Sequence, residues 1–148
     1  MTRDGIYVNP AKTKAVAEWP TLRRVKDVRS FIGLASYYRR FIPGFATIAA
    51  PLTEMYRDPK NTLVNWTPAR AVAFESLKMS LTSAPVLAYP SRDEKFHLSC
   101  DASDDGVRAV LEQDQVQKDG TTRRVVIAYA SKSLSRSQRN TAPQIANY

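Results

Sequence analysis

The spacing of the apolar residues changes once along this sequence, around the two prolines Pro85 and Pro90. Before them, apolar side chains recur every three to four residues, which is the spacing of one face of an α-helix. After them, Phe96, Leu98 and Cys100 alternate with polar residues, which is the spacing of a β-strand. The sequence therefore predicts an α+β protein in which helices precede a sheet.

The predicted helices have identifiable starts and stops. The apolar spacing places them over about residues 10–18, 25–42, 45–56 and 68–85. Asn9 and Thr67 each stand directly before a proline, and a capping side chain followed by proline is a common helix start. Pro51 falls inside the third helix, so it must lie in the first turn or bend the helix.

The predicted sheet has three strands, which we expect over residues 96–101, 107–112 and 125–131. The polar segment 113–124 contains Gly120 and predicts a hairpin loop between the second and third strands. Residues 135–148 are polar and contain a proline, so we expect them to be frayed. The boundary between helices and sheet is predicted between residues 87 and 95.

Cysteine content and hydropathy exclude several classes of protein. The chain has 148 residues and one cysteine, Cys100, so it forms no internal disulfide and lacks the Cys and His spacing of a structural zinc site. No apolar run approaches the roughly 20 residues that span a membrane, and the N-terminus has no signal-peptide pattern. These features predict an intracellular protein with no membrane contact.

The positive charge of the chain is concentrated near its N-terminus. The net charge is +8, and the first 60 residues hold 11 basic and 5 acidic side chains. Opposite its apolar face, the second predicted helix carries cations with small and aromatic residues between them: Lys26, Arg29, Gly33, Tyr37 and Arg40. This pattern can follow a nucleic-acid backbone. The alternative is the solvated face of an ordinary bundle helix.

Five segments, taken in order, resemble the polyprotein of gypsy-class long-terminal-repeat retrotransposons: VNPAKTKAVAEWP, VRSFIGLASYYRRFIPGFATIAAPLT, NWTPARAVAFESLKMSLTSAPVLAYP, FHLSCDASDDGVRAVLEQ and VVIAYASKSL. The resemblance covers residues 5–140. It implies that residues 1–90 are the thumb and connection of a reverse transcriptase. It also implies that residues 91–148 are the N-terminal part of a ribonuclease-H-like domain, with an incomplete three-stranded antiparallel sheet.

The resemblance assigns one catalytic position. Asp101, in the motif DAS, matches the family's first metal-ligand aspartate, and ribonuclease H uses a cluster of carboxylates to hold two Mg²⁺ ions. When Asn140 is aligned with the family's asparagine, Ile145 and Asn147 occupy the positions of the next glutamates. The family's polymerase motif, tyrosine-x-aspartate-aspartate, is not in this sequence. The chain alone is therefore predicted to be inactive and to bind Mg²⁺ weakly.

The residues near Asp101 also affect how well it could bind a metal ion. Arg108 stands where the family usually has glycine, and a long cation beside Asp101 would compete with a metal ion. Asp104 and Asp105 lie in a predicted turn, which favours solvated side chains over extra ligands. His97 has no Cys or His partner at ligand spacing and is assigned no ligand role.

The functional hypothesis is a fragment of a retrotransposon reverse transcriptase that binds a primer–template duplex or an RNA–DNA hybrid. By the resemblance, Lys26, Arg29, Gly33, Tyr37 and Arg40 would contact the duplex along its minor groove. Two alternatives stay open: a functional ribonuclease H completed by another chain, and an interaction module with no nucleic-acid role.

A last expectation concerns the first strand. In the ribonuclease H fold it pairs on its far side with a fourth strand, so here it would present an open edge. The sheet would then self-associate through that edge or depend on packing against the fourth helix, through Phe74, Leu77 and Leu81.

Overall fold

The computed structural model describes residues 5–134, which form a helical half followed by a sheet. The helices are α1 (Pro10–Ala17), α2 (Val25–Tyr37), α3 (Phe45–Thr53) and α4 (Pro68–Thr82), and the strands are β1 (Phe96–Ala102), β2 (Gly106–Val116) and β3 (Thr122–Ser133). The predicted α+β class and the order of elements are confirmed. Within this range no helix is long and apolar enough to cross a membrane. The predicted frayed segment 135–148 lies outside the described residues.

Both predicted helix caps are present. The Asn9 side chain accepts a hydrogen bond from the Ala11 N–H at 2.8 Å, at the start of α1. The Thr67 hydroxyl oxygen accepts one from the Arg70 N–H at 3.2 Å, at the start of α4. Because the first N–H groups of a helix have no partner within it, these bonds fix where each helix begins.

The prediction that the second helix runs to residue 42 is wrong at its C-terminal end. α2 ends at Tyr37, and a 3-10 turn follows over Arg39–Phe41. Proline disfavours helical backbone at the residue before it, and Ile42, which precedes Pro43, is extended (φ −117°, ψ 107°). Arg40 therefore lies on a separate turn and not on the face of α2.

The third helix is also shorter than predicted, because α3 ends at Thr53 and the 3-10 turn Glu54–Arg57 continues the chain. Pro51 lies inside α3 and not in its first turn. Proline has no N–H to donate to the carbonyl of Thr47, one turn earlier, which weakens this end of the helix. The change to 3-10 geometry follows within three residues.

The sheet is antiparallel, with the strand order β1-β2-β3. Strands β2 and β3 are longer than predicted, and only a tight turn over residues 117–121 joins them, so the predicted loop 113–124 is wrong. The Gln117 N–H donates to the Thr121 carbonyl at 2.7 Å, and Gly120 adopts the left-handed φ of +85° that the turn requires. The strand residues that the prediction missed are mostly polar, so the spacing of apolar residues could not reveal them.

The main core lies among the helices. Phe31 of α2 is fully buried and packs edge to face against Phe74 of α4, with ring centroids 4.8 Å apart. Leu77 and Leu81 of α4 are also fully buried. Of the four positions predicted to form the apolar stripe of this helix, Phe74, Leu77 and Leu81 are buried and Ala71 is exposed. The sheet adds Ile127 of β3 to the buried apolar residues. Most of the buried apolar area therefore belongs to the helical half.

Strand β3 attaches the sheet to the helices. The Ala88 N–H donates to the Val126 carbonyl at 2.8 Å, and the Ala46 N–H donates to Ser131 Oγ at 2.8 Å. Arg39 Nη2 donates to the Ser131 carbonyl at 3.1 Å. Residues 88–95 contain neither helix nor strand, so the predicted boundary falls in a connecting segment. The division into units 1–90 and 91–148 stays a prediction.

Candidate nucleic-acid interface and ribonuclease H position

The N-terminus of α2 is held by the chain segment 56–62. The Val25 N–H donates to the Thr62 carbonyl at 2.9 Å, and the Lys26 N–H donates to the Lys60 carbonyl at 2.8 Å. These N–H groups belong to the first turn and have no partner within the helix. The segment therefore supplies acceptors for the first N–H groups of α2 and fixes the position of the helix.

Asp27 caps the same helix. Its carboxylate accepts from the N–H groups of Arg24 at 2.9 Å and Arg23 at 3.1 Å. These two bonds, with that from Arg24 the stronger influence, hold the pKa of the Asp27 carboxyl below its usual range. An acidic side chain in the first turn also complements the helix dipole. The start of α2 is thus well defined before any partner binds.

Four of the five residues predicted to contact nucleic acid share the exposed face of α2. Lys26, Arg29, Gly33 and Tyr37 are all exposed, and the Tyr37 side chain is 79% exposed. Their spacing of three or four residues places them one above another on the helix. The Arg29 guanidinium donates to the Tyr56 carbonyl at 2.8 Å and lies 5.5 Å from its ring centroid. Arg29 is thus held in place on this face.

Gly33 stands in the middle of this face. A Cβ placed on Gly33 would have no atom within 4 Å, apart from its own helix backbone and neighbours, so the chain does not need a glycine here for its own packing. Glycine in a helix costs about 1 kcal/mol relative to alanine. A bare helix surface between a cation and an aromatic ring allows close approach of a partner.

Arg40, the fifth predicted contact residue, does not continue the stripe. It lies in the 3-10 turn after α2, with its guanidinium 5.7 Å from the Phe41 ring centroid. Together with Tyr37, Tyr38 and the segment around Tyr7, it lines a cleft of about 610 Å³. Arg40 thus neighbours Tyr37 across a cleft, on a different element from the other four residues.

Sequence reasoning missed two cations that adjoin this surface, Arg57 and Lys60. Both are exposed, with the half-buried Asp58 between them, and they lie on the segment that holds the start of α2. No local motif marks them, because only the tertiary contact between residues 24–26 and 60–62 brings them to α2. We define the basic surface as Lys26, Arg29, Gly33, Tyr37, Arg57 and Lys60.

The predicted ribonuclease H aspartate lies near the end of β1. Asp101 pairs across the sheet with Arg108 of β2, and Arg108 Nη2 donates to Asp101 Oδ2 at 3.1 Å. The side chains are 72% and 59% exposed, respectively, so the ion pair is weak. The Arg108 stem passes Gly44, whose backbone has φ +68° and where an added Cβ would lie 3.1 Å from Arg108 Cδ. The structure thus places a cation beside Asp101, as the sequence predicted.

The described side chains do not fit a two-metal site. Asp104 and Asp105 are exposed in the turn between β1 and β2, as predicted. Among residues 5–134 no group of three or more His, Cys, Asp or Glu side chains is placed to hold a metal ion. Ile145 and Asn147, the positions aligned with the family's glutamates, lie outside the described residues.

A second polar cluster crosses all three strands. His97 Nε2 of β1 lies 2.9 Å from Asp114 Oδ2 of β2, and Arg124 Nε of β3 donates to Asp114 Oδ1 at 2.9 Å. Hydrogen bonds from Arg124, and next from His97, lower the pKa of the Asp114 carboxyl. The sequence analysis considered His97 but not its partners. Asp114 lies 17 residues further along the chain, and Arg124 lies beyond Asp114. This cluster clamps the strands together.

The described residues combine a helical half with an open antiparallel sheet that carries an aspartate near the end of its first strand. A family model described as an RNase H-like domain found in reverse transcriptase matches residues 66–145, which include α4 and the whole sheet. The chain belongs to this family.

Relatives in retroelements confirm the gypsy-class resemblance. The Pol polyprotein of the Drosophila melanogaster transposon opus is 36% identical over 96% of this chain. That of the Drosophila transposon gypsy is 39% identical over 77% of it. The chain spans 15% of the first polyprotein and 12% of the second. It therefore corresponds to a short segment of these retrovirus-related Pol polyproteins.

A solved structure shares the fold. The foamy viral protease-reverse transcriptase, solved in complex with an RNA/DNA hybrid, superimposes on 99% of this chain with a TM-score of 0.80 and 20% identity. The match covers 19% of that viral chain. The agreement extends over both the helical half and the sheet, which confirms the predicted architecture of helices followed by a three-stranded open sheet.

Proposed function

We propose that this chain binds a primer–template duplex or an RNA–DNA hybrid through its basic surface, and that alone it has no catalytic activity. The observation that carries the binding proposal is Gly33, an exposed helical glycine between Arg29 and Tyr37 that the fold itself does not require. The foamy viral protein, which has the same fold, was solved with an RNA/DNA hybrid. That likeness supports the choice of ligand.

The dimensions of the surface suit a nucleic-acid backbone. A helix rises about 1.5 Å per residue, so Arg29 and Tyr37 lie about 12 Å apart along α2. Measured along the duplex axis, that distance corresponds to three to four phosphates of one strand, at about 3.4 Å each. Cations at Lys26 and Arg29 would contact phosphates, while Tyr37 offers an exposed ring for sugars or bases. Gly33 would let the duplex approach the helix backbone between them.

The salt dependence of binding tests whether this surface is used. Affinity for a labelled primer–template duplex should fall steeply as salt rises, because each phosphate contact releases counterions. Arg29→Ala should flatten the slope of log K against log salt by about one, as should Arg40→Ala if the duplex also reaches the cleft. Fluorescence anisotropy at several salt concentrations measures both slopes. A slope unchanged by both substitutions would remove this surface from the proposal.

Gly33→Ala should move stability and binding in opposite directions. The added methyl group restores helix propensity, so the free energy of unfolding should rise by about 0.5–1 kcal/mol. Because it fills the space left for a partner, duplex affinity should fall. Urea denaturation and anisotropy titration measure the two effects on one preparation.

Ala71→Gly in α4 is the matched control, since Ala71 is exposed and lies on a helix that contributes no residue to the basic surface. This substitution should lower stability by a similar amount and leave duplex affinity unchanged. If Gly33→Ala binds the duplex as tightly as the parent chain, the glycine has no role in binding.

The proposed lack of catalytic activity rests on the surroundings of Asp101. In ribonuclease H chemistry Mg²⁺ activates a water molecule at the scissile phosphodiester, and several carboxylates hold the ions. Here Asp101 is the one residue we assign as a ligand, and Arg108 occupies one of its oxygens. Tight binding of Mg²⁺ by a single paired carboxylate is not expected.

The purified chain should therefore cleave no RNA–DNA hybrid in Mg²⁺ or Mn²⁺, and should extend no primer. A labelled hybrid resolved by gel electrophoresis gives the measurement, with a complete ribonuclease H as positive control. Cleavage that disappears in Asp101→Asn would contradict the proposal and favour the alternative of a functional ribonuclease H. Cleavage that persists in Asp101→Asn would indicate a contaminating nuclease.

A further inference from the structure

Tyr56 contacts the Arg29 side chain through both its backbone and its ring. Arg29 Nη2 donates to the Tyr56 carbonyl oxygen at 2.8 Å, and the guanidinium carbon lies 5.5 Å from the centroid of the Tyr56 ring. A guanidinium within about 6 Å of an aromatic centroid is attracted by the electron-rich face of the ring. One residue thus restrains the end of an exposed side chain at two points.

The core of the protein anchors the turn that carries Tyr56. This residue belongs to the 3-10 turn Glu54–Arg57, in which Met55 is buried. The Asp58 N–H donates to the Met55 carbonyl at 3.0 Å and closes the turn. The Tyr56 side chain is 38% exposed, whereas that of Tyr37 is 79% exposed. The turn and the core therefore fix the position of the Tyr56 ring.

The contacts with Tyr56 leave the Arg29 guanidinium able to bind a partner. A guanidinium has five N–H groups, and the bond to the Tyr56 carbonyl uses one of them. No ion pair joins Arg29 to a carboxylate within residues 5–134. Partial burial raises the pKa of the Tyr56 hydroxyl above its ordinary value, so the ring stays neutral at neutral pH. Arg29 is therefore held in place while its positive charge stays available.

We propose that Tyr56 is a positioning residue for duplex binding, which holds the Arg29 guanidinium where it contacts the nucleic-acid backbone. This inference rests on the proposed function and adds a residue outside the basic surface to it. A mobile arginine loses side-chain freedom when it binds, which weakens binding, whereas an arginine that is already held loses little. The Tyr56 ring thus contributes to affinity without touching the duplex.

Side-chain NMR tests the positioning without nucleic acid. In isotope-labelled protein, the heteronuclear NOE of Arg29 Nε should be high in the parent chain and should fall in Tyr56→Ala, because the ring no longer restrains the guanidinium. Tyr56→Phe keeps the ring and should match the parent chain. An Arg29 side chain that is equally restrained in Tyr56→Ala would overturn the proposal.

Arg57 provides an internal control in the same spectra. Its Nε donates to the Glu54 carbonyl at 2.9 Å, on the turn that carries Tyr56. In Tyr56→Ala the Arg57 signal should stay unchanged while the Arg29 signal changes. Loosening of both arginines would show that Tyr56 supports the turn as a whole, which contradicts a specific role in holding Arg29.

A double-mutant cycle tests whether the positioning affects binding. Tyr56→Ala should weaken binding of a labelled primer–template duplex by about 2- to 10-fold, which is the effect of leaving one long side chain unrestrained. In an Arg29→Ala background the same substitution should have no effect, because the guanidinium that Tyr56 holds is gone. Fluorescence anisotropy measures all four chains. An equal loss in both backgrounds would show that Tyr56 acts without Arg29.

Tyr89→Ala is the matched control, since Tyr89 is 40% exposed and lies outside the basic surface. It should leave both the Arg29 NOE and the duplex affinity unchanged. If Arg29→Ala weakens binding and Tyr56→Ala does not, the proposed function stands and the positioning role is wrong. If Arg29→Ala leaves the duplex affinity unchanged, the proposed contact of Arg29 with the duplex fails, and the role of Tyr56 fails with it.

Discussion

Replacing Phe31 with alanine is expected to destabilise the helical half of the protein strongly. Phe31 is fully buried at the centre of the core, 5.6 Å from the Trp19 ring and 4.8 Å from the Phe74 ring, measured between centroids. Truncating a core phenylalanine to alanine costs about 3–5 kcal/mol, since apolar contact is lost and a cavity remains. A domain of this size has only about 5–15 kcal/mol of stability to lose.

The same change at Phe96 serves as the control, because Phe96 is 47% exposed at the sheet edge. Urea denaturation followed by circular dichroism, at low protein concentration, should show a large drop in midpoint for Phe31→Ala and a small one for Phe96→Ala. Duplex binding by Phe31→Ala should be lost at lower urea concentrations than binding by the parent chain, because α2 carries most of the basic surface. A midpoint close to that of the parent chain would show that the core can repack around the cavity.

Features that depend on a few neighbouring residues were predictable from the sequence. The caps at Asn9 and Thr67 and the buried stripe of α4 are local patterns, and the structure has them. The end of α2 was missed, because apolar residues continue at helical spacing through Phe41 and Ile42 although the helix stops at Tyr37. Apolar spacing reports burial, and buried residues beyond a helix end can keep the same spacing.

The candidate interface was predictable to the same extent. Helical periodicity placed Lys26, Arg29, Gly33 and Tyr37 on one exposed face, and they lie there. Arg57 and Lys60 could not be added from sequence, because backbone contacts between separate segments position them. Hydropathy carries no information about such contacts. The contact of Asp101 with Arg108 was predicted only because the resemblance drew attention to both positions.

Gln113 is the clearest case in which hydropathy misled. As a polar residue beside other polar residues, it was assigned to a hairpin loop, yet it lies within β2 and is fully buried. Its Nε2 donates to the carbonyls of Ser91 at 2.8 Å and Glu94 at 3.0 Å, and its Oε1 accepts from the Ser91 N–H at 2.8 Å. One side chain thus fastens the connecting segment to the sheet.

Gln113→Leu is expected to be strongly destabilising, although leucine is of similar size and more apolar. The substitution leaves the Ser91 N–H and the carbonyls of Ser91 and Glu94 without their partner. Each unsatisfied group that stays out of water costs about 1–3 kcal/mol, so the total loss should be several kcal/mol. Gln117→Leu is the control, because the Gln117 side chain makes one bond, to the Gln115 carbonyl at 3.1 Å.

Gln113→Glu removes the amide donor of Gln113 but keeps the size and shape of its side chain. A carboxylate would face two carbonyl oxygens, so the folded state should favour the protonated acid and raise its pKa. A group whose pKa is raised by folding contributes its stability at low pH and loses it as pH rises. The variant should therefore lose stability relative to the parent chain as the pH rises from about 4 to 7, where the carboxyl ionises. Thermal melts across that range measure the difference, and a constant difference would mean that Gln113 stabilises the fold by packing alone.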